Sequence, residues 1–236
     1  GTVDWERLAR DHIKLNTHVL VQDKRILMTH RQTSDGFEFI TPPCVQALYD
    51  DIEKIGFFHL RFDLEQNKGH DGDELAIQPI AYVLLFGKET VFTYERTGDM
   101  KQYGEQGLSN MLSVGVGGHM NRDLDGPLYI LNSLERALRE EVRIDGTRSA
   151  PMLVGTMLAH TTPVDRVHFG LIYAINVTGE VKHNEKPIKH GSMRAIDSVV
   201  EDVALYDGLE TWSRLLVPHL QEIYARSTMN ISEGRQ

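Results

Sequence analysis

Ser113-Val-Gly-Val-Gly-Gly-His-Met-Asn121, followed by Leu128-Tyr-Ile-Leu-Asn-Ser-Leu-Glu-Arg-Ala-Leu-Arg-Glu-Glu-Val-Arg-Ile144, is the stretch on which the fold turns. The first part is short, extended and ends in a Gly-Gly turn. The second has helical periodicity. With Leu134 set at 0° and an advance of about 100° per residue, Leu131, Leu138 and Val142 fall at about +60°, +40° and +80°, an apolar face. Arg139 and Arg143 fall at about 140° and 180°, toward solvent. Glu141 falls at about −20°, beside the apolar stripe, with Glu140 at about −120° and Arg136 at about −160°. Arg136 is thus placed to pair with Glu140 at i, i+4. Asp125-Gly126-Pro127 reads as the helix start, because Asp caps and Pro is tolerated in a first turn.

A carboxylate on the apolar margin of a helix is unfavourable unless it is paired or bound to a metal. Glu140 and Glu141 near a Gly-Gly turn are therefore candidate ligands for a hard divalent cation, Mg²⁺ or Mn²⁺, which prefers oxygen donors. The alternative is an ordinary charged helix end.

Working outward, Ile77–Phe86 reads as a strand, Gly87-Lys88-Glu89 as a turn and Thr90–Tyr94 as a second strand. Met152–Ala159, Val167–Val177 and Asp202–Leu205 read as extended. Leu209, Trp212, Leu216, Leu220 and Ile223 define a final amphipathic helix, bent at Pro218. Upstream, His18–Gln22 and Arg25–Met28 read as a hairpin turning at Asp23-Lys24. Val45, Leu48, Ile52 and Ile55 mark a helix. Gly69–Asp73 is a polar loop and the best internal boundary, and Thr97–Asn110 is loop-like. Strands dominate the middle without regular βαβ alternation, so the class is α+β. The expected organisation is an N-terminal extension (1–75) packed on a core domain (76–226), then a flexible tail (227–236).

The chain has 236 residues, 41% of them apolar, with 25 Lys and Arg against 34 Asp and Glu, a net charge of −9. That composition suits a globular fold and excludes disordered and collagen-like classes. The negative charge argues against non-specific nucleic-acid binding and against acidic lipid surfaces. It leaves phosphorylated ligands open, because bound divalent cations carry local positive charge. A single cysteine, Cys44, permits no internal disulfide, and the chain shows neither a signal-like apolar leader nor a run of about 20 apolar residues. The expectation is a cytoplasmic protein. No HExxH, GxSxG or P-loop pattern is present, and Gly115–Gly118 lacks the third glycine of a dinucleotide fingerprint.

The order of Gly117-Gly118, a helix, and Arg136-x-x-x-Glu140-Glu141-Val142 resembles the Nudix box, G-x5-E-x7-R-E-U-x-E-E-x-G-U, where U is aliphatic. The GVGGH turn, His168-Phe-Gly-Leu-Ile-Tyr173 and Glu210-Thr-Trp-Ser213 are similar to a MutT-type predicted-phosphoesterase branch of that superfamily. The resemblance spans roughly residues 76–222. The box is degenerate here. Gly118 to Arg136 is 18 residues where the box has 14; the glutamate eight before the arginine falls on Leu128, the one after it on Ala137, and the box glycine on Arg143.

The resemblance implies an α/β/α sandwich: a mixed sheet flanked by helices. It implies hydrolysis of a phosphoanhydride in a nucleoside diphosphate derivative or related phosphometabolite, with Glu140, Glu141 and the Gly118 carbonyl as metal ligands. It also implies a further acid from a later loop, Glu185 first and Glu201 second. Arg136 would be structural, holding Glu140. Arg96 is a phosphate contact or a surface cation; His119 is near enough to the turn to touch substrate; His168 reads as a hydrogen-bonded core residue. The alternative function is a catalytically inactive module of the same fold that binds a nucleotide or phosphometabolite. A homodimer is compatible with the sequence. Substrate identity depends on loops and extensions, about which fold analogy is silent.

Overall fold

The structure is a computed structural model that describes residues 16–61, 64, 76–96, 111–184 and 188–233. The polar loop at Gly69–Asp73 and the segment 97–110 lie outside the described residues.

Twelve strands are described: β1 (His18–Asp23), β2 (Gly36–Phe39), β3 (Phe57–Leu60), β4 (Ala76–Gly87), β5 (Thr90–Arg96), β6 (Leu112–Ser113), β7 (Gly115–His119), β8 (Val142–Asp145), β9 (Met152–Leu158), β10 (His168–Asn176), β11 (Glu180–His183) and β12 (Ile188–Ala195). The helices are α1 (Lys24–Met28), α2 (Pro42–Ile55), α3 (Arg122–Asp125), α4 (Tyr129–Glu141), α5 (Pro163–Arg166), α6 (Ile196–Glu201), α7 (Val203–Gly208), α8 (Thr211–Leu216) and α9 (Leu220–Glu233).

The sheet runs β12-β5-β4-β10-β9-β2, with β1 and β7 also on β4, β3 on β1, and β6 on β5. β4 and β10 are parallel; the other pairings in this sheet are antiparallel. A buried central strand reads as a continuous apolar run rather than an alternation, and all ten residues from Ile77 to Phe86 are buried. Alternate residues of β4 serve two cores. Ala81, Val83 and Leu85 join Leu48 and Ile52 of α2 and Leu134, Ala137 and Leu138 of α4 on one face. Ile80, Tyr82, Leu84 and Phe86 join Ile196, Val199, Trp212, Leu216 and Ile223 on the other. The mixed sheet between two helical layers is the α/β/α sandwich expected.

The second face is anchored by a buried acid. Glu210 caps α8 and is 6% exposed. It accepts hydrogen bonds from the Tyr82 hydroxyl at 2.7 Å, the Ser213 hydroxyl at 2.6 Å and the Trp212 and Ser213 amides. Burial, with the Glu210 charge adding to it, pushes the Tyr82 phenol well above its ordinary range. The Tyr82 ring leaves no space above β7: a Cβ on Gly115 would lie 1.9 Å from it, so only glycine fits there.

Several local expectations are corrected. The anticipated hairpin at Asp23-Lys24 is a strand running into α1. The Asp23 carboxylate accepts the Arg25 amide at 2.8 Å, and that N-cap starts a helix where residues 25–28 alone look extended. Of the expected extended segment Asp202–Leu205, Val203–Leu205 is helical for the same reason, since Asp202 caps α7 through the Leu205 amide at 2.9 Å. The bend near Pro218 is a single 3₁₀ turn, Val217–His219, between α8 and α9. Among the described residues no helix is long and apolar enough to cross a membrane.

Candidate functional site

The turn-and-helix unit begins where β7 crosses β4, with Gly118 opposite Ala81 and His119 opposite Ile80. Asn121 then caps α3, its side-chain oxygen accepting the Asp123 and Leu124 amides. Gly126 takes a φ of +68°, a left-handed conformation that suits glycine and lets the chain reverse into α4. α4 therefore starts at Tyr129 with no side-chain cap. Asp125 is not its cap, as the sequence had suggested. It is a buried partner of Arg136.

That pair is the principal electrostatic contact of the unit. Arg136 Nε donates to Asp125 Oδ1 at 2.7 Å, and Nη2 donates to Asp125 Oδ2 at 3.1 Å and to the His119 carbonyl at 2.8 Å. Its expected contact with Glu140 is present but longer, Nη1 to Oε1 3.7 Å. Burial opposes the Arg136 charge, but Asp125 outweighs it and holds the guanidinium above its usual range. Counted from Gly118, Asp125 is seven residues on, beside the place six residues past the glycine where the box carries its first acid. One extra residue thus precedes this acid, and the other three of the four-residue excess lie between it and the arginine. Counting back from the arginine to Leu128 missed it.

α4 presents a different arc from the one centred on Leu131. Ile130, Ser133, Leu134, Ala137 and Leu138 are buried, whereas Leu131 is 51% exposed. The expected Gly-Gly turn is part of β7, and Ala137 meets it there: a Cβ built on Gly118 would lie 3.3 Å from the Ala137 Cβ. Helix and strand are in contact where the box would place a third glutamate. We predict that Ala137→Glu, which restores the box residue, costs about 1–3 kcal/mol through overpacking and gains no activity. Thermal unfolding should fall by roughly 2–4 °C per kcal/mol. A variant as stable as the parent with increased activity contradicts this packing account.

Glu141 lies four residues after Ala137 and so one turn further along the same face. Glu140 and Glu141 are both half-buried. The end of α4 is held from β11: the Asn184 amide donates to the Glu141 carbonyl at 2.9 Å, and Asn184 Nδ2 donates to the Arg139 carbonyl at 3.1 Å. With the Val142 amide on the Leu138 carbonyl, three of the four terminal carbonyls have partners. Sequence reasoning did not find Asn184, because nothing local relates it to residue 141. Glu185, the next residue, lies outside the described residues.

The other proposed residues are dispersed. Arg96 ends β5 opposite Ile188, and its side chain lies outside the described residues. Glu201 is exposed at the end of α6, on the opposite helical layer from α4. His119 alternates with Gly118, so its side chain projects to the Tyr82 face. There its Nε2 lies 3.1 Å from Nε2 of His168. Among the described residues, no three His, Cys, Asp or Glu side chains gather closely enough to hold a metal ion by themselves. A pair of adjacent carboxylates still matches the chemistry of Mg²⁺, which keeps several waters and takes one or two protein carboxylates beside substrate oxygens.

The chain superimposes on Tm1382, a solved structure designated a Nudix hydrolase, with a TM-score of 0.68 and 21% identity, covering 87% of this chain and 99% of that one. The likeness shows that the chain has the Nudix fold. In sequence, the chain is 32% identical over 210 residues to Protein YmaB of Bacillus subtilis (strain 168), a match covering 84% of this chain and 98% of that protein. It belongs to the same family as YmaB. No family model matches the chain.

Proposed function

We propose that the protein is a divalent-metal-dependent hydrolase that cleaves a phosphoanhydride in a nucleoside diphosphate derivative or a related phosphorylated metabolite. The observation that supports this reading is the contact of Gly118 in β7 with Ala137, one helical turn before Glu140 and Glu141. These two carboxylates and the Gly118 carbonyl are the oxygen donors that would hold Mg²⁺ or Mn²⁺. The ion supplies charge neutralisation of the pyrophosphate and a lowered pKa for the attacking water.

The chain's own residues have separable tasks. Glu140 and Glu141 present negative charge on a helix end braced by Asn184. Arg136 and Asp125 lock that helix to the strand bearing Gly118. Glu185, directly after Asn184, is the acid we assign to orient or deprotonate water, and Arg96 is the cation we assign to a phosphate oxygen. His119 is left out of the substrate contacts because its side chain is on the other face of the sheet.

The test is a panel of nucleoside triphosphates, dinucleoside polyphosphates and nucleotide sugars, assayed with Mg²⁺, with Mn²⁺ and with EDTA. Release of phosphate or nucleoside monophosphate that requires the metal supports the proposal. Tight nucleotide binding without turnover on any substrate replaces it with the non-catalytic binding module.

A further inference from the structure

His119 and His168 approach one another across β4, from β7 on one side and β10 on the other, opposite Ile80 and Gln78 respectively. Their Nε2 atoms are 3.1 Å apart. His168 is 7% exposed, and its Nδ1 lies 2.6 Å from the Val164 carbonyl. A carbonyl only accepts, so Nδ1 carries the proton and the lone pair of the neutral ring is at Nε2, facing His119. A backbone carbonyl on the distal ring nitrogen is the support that metal-ligating histidines receive, because it fixes tautomer and ring plane and raises ligand basicity. An ion about 2.0–2.1 Å from two nitrogens 3.1 Å apart subtends an angle of roughly 95–100°, and opening the pair to about 3.4 Å makes it tetrahedral. Elsewhere His18 faces Asp123, His30 faces Asp51, His160 faces Asp35 and Lys24, and His59 faces the Leu60 carbonyl, so this pair is set apart by two imidazole nitrogens facing each other.

We infer that His119 and His168 form a binding site for a borderline first-row transition-metal ion of the Zn²⁺ class, on the opposite face of the sheet from Glu140 and Glu141. Two imidazoles suit Zn²⁺, Ni²⁺ or Cu²⁺ and are poor donors for Mg²⁺. With two protein ligands, the remaining positions go to water or to an oxygen of a bound ligand. The site is independent of the acidic pair, so each can fail without the other.

Zn²⁺ titrated into the full chain in excess Mg²⁺, which occupies the acidic pair and is a poor partner for imidazole, should show one site by isothermal calorimetry. His119→Ala and His168→Asn should each weaken it at least tenfold, and Glu141→Gln should leave it unchanged. Because His168 is buried and its variant is liable to misfold, a second readout uses the unaltered protein. In imidazole nitrogen NMR, Zn²⁺ should shift Nε2 of His119 and His168 and spare the other nine of the 11 histidines. Zn²⁺ binding that survives both histidine variants, or is lost in Glu141→Gln, overturns the inference. Unchanged His119 and His168 nitrogen signals also overturn it, leaving the pair as a hydrogen bond alone.

Discussion

Glu141→Gln is expected to lower metal-dependent turnover by at least about 100-fold, a loss of about 2.7 kcal/mol of transition-state stabilisation. The amide keeps the size and shape of the side chain, and Glu141 is only half-buried, so the fold should not suffer. What is removed is one negative charge beside Glu140, where the proposal puts the ion. Loss of a ligand weakens metal binding, so part of the defect should be recovered at high Mn²⁺, whereas a general structural defect would not respond to metal. The measurement is kcat and KM at several Mn²⁺ concentrations, with circular dichroism as the control for folding. Full activity in the variant removes Glu141 from the site.

The largest effect on stability is expected from Asp125→Ala. The Asp125 side chain is 1% exposed and that of Arg136 13%, with 2.7 Å between Oδ1 and Nε. Removing one member of a buried pair leaves the other charge uncompensated, which costs about 3–5 kcal/mol. Among the described residues the remaining guanidinium then keeps the His119 carbonyl at 2.8 Å and Glu140 at 3.7 Å. Asp125 Oδ2 also accepts the Asn121 amide at 3.0 Å, so the turn between β7 and α4 loosens as well. Urea denaturation of Asp125→Ala, Arg136→Met and the double variant should show the double to be less destabilised than the sum of the singles, because neither then leaves a lone buried charge. Additive losses would mean that the two side chains act separately.

The parts of the fold legible in the sequence were those written in one uninterrupted pattern. Ile77–Phe86 and Val167–Val177 read as buried strands because continuous apolar runs of that length have few other solutions, and both are central in the sheet. The helix carrying Glu140 and Glu141 was legible as a period, but its buried arc was not. Leu131 looked like core by chemistry, yet the close approach of Ala137 to Gly118 turns Ser133 and Ala137 inward and leaves Leu131 half out. Small residues that allow backbone contact carry little hydrophobic signal, so a wheel weighted toward leucine aims the helix about 80–100° off.

Short capped helices were misread in the same way at Asp23 and Asp202, where one side-chain oxygen on a backbone amide decides the conformation. In the candidate site, the place of Glu140, Glu141 and Arg136 on one helix is legible from spacing, while their assignment to a metal site comes from the resemblance and stands as the proposal. Asp125 and Asn184 are not legible, because each acts across a turn whose length has no local signature. The separation of His119 from Gly118 onto opposite faces follows from strand alternation. The sequence does not show it, because Gly117-Gly118 reads as a turn, whereas these residues form β7 paired with β4.

We propose above all that Glu140 and Glu141 hold a divalent cation against the Gly118 carbonyl of β7. Crystals soaked in Mn²⁺ and measured at the manganese absorption edge test it most directly. An anomalous peak within about 2.0–2.4 Å of a carboxylate oxygen of Glu140 or Glu141 is the predicted result. A map with no peak there, or with manganese bound elsewhere on the chain and both carboxylates directed into bulk water, contradicts it.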